Sequence, residues 1–282
     1  MSVDVSLLGP PIKGPSALGS DPRRLWHLAR TMAVSDFKLR FFGSALGYLW
    51  QLVRPLMLFG VLYVVFTEVV RLGGDVEFYP VALLMGVVLF TFFGEATGGS
   101  LSSLVDREAL IRKVDFPRLA VPLSAVLTAL MNVGLNLIAV VVFLLASGGS
   151  IRLTWLEVPF LILALALFTF GLGMLFSALY VRYRDVKPIW EVCLQVLFYA
   201  SPIFYPIDVV QDRSEIAAKV MMLNPFAAIV QQMRHALIAP SHPTATAVAG
   251  PWIIGTIAIF VLVLALGYRV FSRRAPHIAE QL

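Results

Sequence analysis

AVPLSAVLTALMNVGLNLIAVVVFLLA, residues 120–146, runs for 27 residues without one charged side chain. At 1.5 Å per residue such a helix is about 40 Å long, against roughly 30 Å for the hydrocarbon core of a bilayer. A helix on the surface of a soluble domain keeps a charged face, and this one has none. Outward from it, Val158 to Val181 is a second charge-free run of 24 residues, and Phe78–Gly94 and Pro251–Tyr268 are shorter runs of 17 and 18. Pro55–Val70 is broken only by Glu68 and Pro188–Pro206 only by Glu191, each near one end of its run. The expected fold class is therefore all-α: a polytopic membrane protein with six transmembrane helices.

Composition agrees. The 282 residues are 59% hydrophobic and 14% charged, and the mean hydropathy is +0.85, too apolar to clothe a soluble globule. The net charge of +5 does not indicate a nucleic-acid partner, because the cations lie between apolar runs rather than in one basic cluster. The lone Cys193 rules out an internal disulfide and, without histidine neighbours, supports no metal site. The sequence suggests no catalytic residue either. Residues 1–21, with Pro10, Pro11, Gly9, Gly14 and Gly19, lack the apolar core of a cleaved signal and read as a loose tail.

Lysine and arginine set the orientation. With the amino terminus in the cytoplasm, 17 of the 22 fall on the cytoplasmic side and Arg71, Arg152, Arg213, Lys219 and Arg234 on the other. Both termini are expected in the cytoplasm. The chain divides into a cytoplasmic tail with an amphipathic segment (1–54), the six-helix membrane domain (55–271) and a short cytoplasmic tail (272–282).

Three segments are not simple spans. Between Trp26 and Trp50, apolar Leu28, Met32, Leu39 and Phe42 mix with Arg30, Asp36, Lys38 and Arg40, the pattern of a helix lying in the headgroup region. It is either a juxtamembrane anchor or an anchor that also positions a cytoplasmic partner. Ser102 to Lys113 intersperses Leu104, Leu110 and Ile111 with Asp106, Arg107, Glu108, Arg112 and Lys113. A serine cap at 102 or 103 and the Asp115-Phe116-Pro117 stop predict a short helix, fit either for docking onto another protein or simply for solvation. From Ser201 to Gly250, Pro202, Pro206 and Pro225 punctuate apolar pieces too short to span, and Phe226–Ile238 is either a re-entrant helix or a cap over the bundle.

Inside the spans, Asn132 and Asn136 lie four apart and are expected to bond across a helix contact. Glu191 is expected to pair with Arg182, Arg184 or Lys187 near the membrane surface, and Glu95 reads as interfacial. No chain of buried acids or histidines marks a proton relay. Aromatic faces stack on sugar rings, so Phe90, Phe93, Tyr199, Phe204 and Tyr205, with Asn132 and Asn136, are candidates to line a conduit; packing among helices is the alternative for each. No lysine directly follows a glycine, so the phosphate-cradling G-x-x-x-x-G-K-[ST] loop is absent. If ATP drives this protein, a separate subunit binds it.

Four stretches carry a family resemblance. They are Asp36-Phe37-Lys38-Leu39-Arg40 with Leu46-Gly47-Tyr48-Leu49-Trp50 and Pro55; Leu110 to Arg118; Val181 to Val186; and Ser201 to Pro206 with Leu223-Asn224-Pro225. Together they resemble the permeases of ABC exporters for polysaccharide, O-antigen and teichoic acid. The resemblance implies a homodimer of permeases with two copies of an ATP-binding ABC subunit, itself holding ATP and Mg, in the bacterial inner membrane. The implied substrate is a lipid-linked glycan on a polyprenyl diphosphate. It implies that the ATPase-docking coupling helix spans Ser102, Leu104, Asp106, Arg107, Glu108, Leu110, Arg112 and Lys113. It likewise implies an interface helix at the membrane surface with Trp26, Arg30, Lys38, Arg40 and Phe42, and extracytoplasmic re-entrant pieces over Pro206–Ile238. A drug or small-lipid exporter of the same architecture is one alternative. An intramembrane polyprenyl-phosphate transferase using Asp106, Glu108, Asp115 and Asp185 is another.

Overall fold

A computed structural model describes residues 16–19, 21–40, 47, 49–70 and 76–281. The described residues are helical with short connections. They begin with α1 (Pro22–Arg40) and α2 (Leu49–Tyr63), which passes into a π-helical turn at Val64–Val69. Next come α3 (Tyr79–Asp106), the six-residue α4 (Glu108–Lys113), α5 (Ala120–Ala146), α6 (Val158–Tyr180) and α7 (Val186–Ala200). Three short helices follow, α8 (Ile207–Arg213), α9 (Glu215–Met222) and α10 (Pro225–Met233), the last running into a π-turn at Arg234–Ile238. The chain ends in α11 (Ala245–Ala249), α12 (Ile253–Arg274) and α13 (Ile278–Gln281).

α3 is the axis of the bundle. It packs on α5 and α6, while α12 packs on α6 and α1 on α5. Of its most apolar 18-residue window 72% is buried, against 6% for the span beginning at Leu49, so α3 is covered by the chain itself and α2 is left for lipid or another molecule. At the crossing of α6 and α12 a Cβ added to Gly267 would lie 2.2 Å from the Gly171 carbonyl oxygen. Only a residue without a side chain admits that backbone contact.

Among the described residues five helices are long and apolar enough to cross a membrane, starting at Leu49, Tyr79, Ala120, Leu153 and Ala245. The expected fifth span, 188–206, is not one helix. α7 has 15 residues, about 22 Å, and Ser201 then turns extended. Pro202 and Pro206 are the cause, since the residue before a proline is pushed out of the helical region. The expected second span departs in the other direction: α3 runs through Gly94 to Asp106 without a break.

The described ends of the chain share one pole. Ala17, Leu25, Leu104, Ile111, Phe116, Val181, Phe271, Ala275 and Ile278 form a single buried cluster, so both ends lie on the same side, as the charge count requires. Residues 16–19 are not loose: the Leu119 amide donates to the Ala17 carbonyl at 3.1 Å, and Gly19, at φ +68°, sits against Pro117 where a Cβ would come within 2.7 Å. Residues 1–15 of the expected tail lie outside the described residues. A second cluster, of Ile207, Ala218, Met222, Ala227, Val248 and Ala249, closes the opposite pole.

Candidate functional site

The predicted docking segment is two elements rather than one. Ser102, Ser103 and Leu104 belong to the last turn of α3, and neither serine caps a helix start. Ser102 Oγ donates to Asp106 Oδ2 at 2.6 Å, Ser103 Oγ donates to the Ser100 carbonyl at 2.6 Å, and Leu104 is fully buried. The helix breaks at Arg107, whose carbonyl accepts the Leu110 and Ile111 amides at 3.0 Å each and so starts α4. α4 has Glu108 in its first turn and Arg112 and Lys113 in its last, the charge order that suits the helix dipole. Arg112 pairs with Glu108 at 2.8 Å, one turn apart. Ile111 plugs α4 into the pole cluster, while Leu110, Arg112 and Lys113 stay exposed and Glu108 partly so. Val114 then turns extended, ending α4 just ahead of the predicted Asp115-Phe116-Pro117 stop.

The amphipathic segment forms α1. Leu25, Ala29 and Ala33, four apart, are its buried ridge on α5; two are alanines, which let the helices approach closely. Trp26, Arg30 and Lys38 are exposed, and Phe42 lies outside the described residues. From the far end of α1, Asp36 is ion-paired with Arg107 and Arg40 with Glu95. α5 meets this network with polar residues at every fourth position. Ser124 Oγ accepts from Arg107 Nη1 at 2.8 Å, Thr128 Oγ1 donates to the Ser124 carbonyl at 2.9 Å and lies 3.4 Å from the Ala33 carbonyl of α1, and Asn132 Nδ2 donates to Glu95 Oε1 at 2.7 Å. Asn132 thus bonds across helices as expected, whereas Asn136 Nδ2 turns back to the Asn132 carbonyl at 2.9 Å. Glu95 is more than interfacial: it joins α1, α3 and α5. Asp36, Arg40, Glu95, Arg107, Ser124 and Thr128 line an open pocket of about 440 Å³.

The candidate conduit residues separate by exposure. Phe93 is buried in an aromatic stack with Phe226 (ring centroids 4.8 Å), Trp190 (5.9 Å) and Phe168 (6.1 Å), and Phe90 packs edge-on against Phe198 at 5.0 Å. Phe204 is buried and stacks on Phe66 at 4.6 Å. Tyr205 OH donates to the Tyr199 carbonyl at 3.0 Å. Tyr199 itself is 68% exposed, the outermost of the set. It lies on one face of α7 with Glu191 and Gln195, both exposed. Among the described residues Glu191 forms no ion pair; its expected partners turn to rings instead, Arg184 over Tyr180 at 5.0 Å and Arg182 over Tyr183 at 5.3 Å. Trp190 anchors the other side of α7, its indole Nε1 donating to Thr97 Oγ1 at 3.0 Å.

Residues 201–204 and Pro206 are buried without being helical, so their carbonyls need partners. Arg234 supplies them: Nη2 donates to the Ile203 carbonyl at 2.9 Å and Nη1 to that of Tyr205 at 3.1 Å. Tyr79 OH donates to the Phe204 carbonyl between them at 2.6 Å. Sequence reasoning placed Arg234 only in the charge count. Its signal was an arginine inside the apolar run Phe226–Ile238, where a cation stays only with partners at hand.

The chain matches the ABC-2 type transporter family over residues 27–238. It is 29% identical over 211 residues to the O-antigen export system permease protein RfbA of Klebsiella pneumoniae, covering 74% of this chain and 80% of that protein. The RfbA of Myxococcus xanthus is 29% identical over 249 residues, 88% of this chain and 92% of that one. The polysialic acid transport protein KpsM of Escherichia coli is 22% identical over 209 residues, 72% and 78%.

Proposed function

This chain belongs to the ABC-2 type transporter family, and on that premise we propose that it is the membrane subunit of an ATP-driven exporter of a lipid-linked polysaccharide. The relatives named for O-antigen export and polysialic acid transport support the substrate class. ATP and Mg bind to a partner subunit, since this sequence carries no phosphate-cradling loop. Two permeases pair with two ATPases in the bacterial inner membrane, and the pole holding both ends of the chain faces the cytoplasm.

The observation that carries the reading is α4. A six-residue helix with three charged side chains is seated by Ile111 at the end of the axial helix α3, and it turns Leu110, Arg112 and Lys113 outward. A partner pushing on α4 pushes on α3, and α3 is the helix on which the bundle is built. α1 is the interface helix, with Trp26, Arg30 and Lys38 toward the headgroups. α7 together with residues 201–206 makes the fifth of six crossings, and Glu191, Gln195 and Tyr199 are its contribution to a wet conduit. An exposed carboxylate and amide on a membrane helix need water or polar substrate beside them.

The test is co-purification of this chain, co-expressed with a candidate ATPase, through a tag on the ATPase alone. Wild type is expected in the eluate; a variant with Leu110→Asp, Arg112→Ala and Lys113→Ala is expected to be inserted in the membrane and depleted from the eluate about tenfold, a loss of roughly 1.4 kcal/mol of binding. Equal recovery of the variant removes α4 from the docking surface, and no recovery of wild type removes the ATP-driven reading.

A further inference from the structure

Arg107 belongs to three elements at once. Its backbone is the break between α3 and α4, and its carbonyl receives the two amides that open α4. Its guanidinium points the other way, into the bundle, ion-paired with Asp36 of α1 and donating to Ser124 Oγ of α5 at 2.8 Å. The Arg107 side chain is 21% exposed and that of Asp36 39%, so the pair is partly shielded from water and partly open to screening. Ser124 is itself held, its hydroxyl donating to the Val121 carbonyl at 2.8 Å. Resting on the proposed function, in which α4 receives the ATPase, we infer that Arg107 is a positioning residue that makes α4 and α1 move as one body. It does so rather than contacting the ATPase.

The geometry favours this linkage. Rotating or sliding α4 turns the Arg107 carbonyl, because α4's first two hydrogen bonds are made to it. The Cα of the same residue carries the guanidinium, which either drags Asp36 along or breaks a part-buried ion pair. The neighbouring open pocket of about 440 Å³ gives the side chain room to travel without meeting packed apolar groups. α1 has a second attachment to α3 through Arg40 and Glu95, and Asn132 holds Glu95 from α5. The far end of α1 is therefore hung on α3 at two heights, while its near end is seated through Leu25 in the same buried cluster as Ile111. Arg107 is the polar link between α4 and the far end of α1.

The experiment places spin labels on Lys38→Cys of α1 and Lys113→Cys of α4 in a Cys193→Ser background and measures the distance distribution in the full-length permease in lipid nanodiscs. Both labelled positions are exposed. A single narrow distribution is expected for the otherwise wild-type protein, clearly broadened in Arg107→Ala and in Asp36→Ala, and narrowed again in the swap Asp36→Arg with Arg107→Asp. In cells, ATP-dependent glycan export is expected to fall about tenfold in each single variant and to recover at least severalfold in the swap. The swap guards against a simple folding defect, because two misfolding changes do not repair each other. A distribution in Arg107→Ala as narrow as in wild type overturns the inference, and so does a swap no better than the single changes. The distance measurement needs no ATPase, so a permease that binds none while its distances respond to Arg107 sinks the proposed function and leaves the linkage standing.

Discussion

Arg234 and His242 show how buried polar groups hold the pole opposite the chain ends. The Arg234 guanidinium is shared between two carbonyls of one extended stretch, and His242 is buried close by, among Arg234, His235 and Glu77. Burial, then the charge of Arg234, pushes the His242 imidazole down from 6.5 to about 4. The folded state keeps the ring neutral while an unfolded or opened loop protonates it near pH 6.5. Stability contributed here is complete above pH 6.5, is lost as pH falls, and levels off below pH 4, by up to about 3 kcal/mol. Amide exchange in residues 239–245, corrected for intrinsic rate, is expected to show weaker protection at pH 5 than at pH 7, and His242→Gln to abolish that difference. Pairing between Asp36 and Arg107 was out of reach of the sequence, since only the fold brings residues 71 positions apart together. The polar stripe Ser124, Thr128, Asn132, Asn136 was in plain view at helical spacing, and only its last two members were read.

At the scale of elements, α5 and α6 were legible because a long charge-free run has one physical solution in a bilayer. α5 starts and stops where the run does, at Ala120 and Ala146, and α6 ends one residue short of Val181. α7 was misjudged because a count of apolar residues is blind to Pro202 and Pro206, whose backbone effect outweighs the hydropathy around them. α3 was cut short at Gly94 because Glu95 looked like a terminus; Asn132 and Arg40 let it stay within the helix instead. The contact between α6 and α12 is set by two glycines. Gly267→Val is expected to wedge the helices apart and destabilise the protein by about 1–3 kcal/mol, seen as a lower melting temperature in detergent, with Gly134→Val as the control. A Cβ at Gly134 meets nothing within 4 Å. An equal melting temperature for both variants counts against the close contact.

For the whole molecule, the unequal covering of the spans is the informative feature. α2 is exposed along most of its length, α7 shows polar groups outward, and the segments that follow these helices meet where Phe66 stacks on Phe204. A bundle facing only lipid would not place Glu191 and Gln195 on its outside, which supports the proposal that a second copy closes the conduit on this face. Val61→Cys, in a Cys193→Ser background, is expected to give a covalent dimer in native membranes with a short thiol cross-linker, and Ile254→Cys on α12 to give none. Both positions are exposed in one chain, at 63% and 71%. Cross-linking at Ile254 alone would put the partner on the opposite side.

The pole that seats α4 has a consequence for how the protein is made. Ala17, ahead of every span, and Ile278, behind every span, sit in the same buried cluster as Ile111. The seat of α4 is therefore unfinished while the later helices are still leaving the ribosome, and translation of the last apolar segment, not insertion of the first, completes it. If α4 receives an ATPase, as proposed, the order of synthesis itself keeps half-built transporters from engaging an engine.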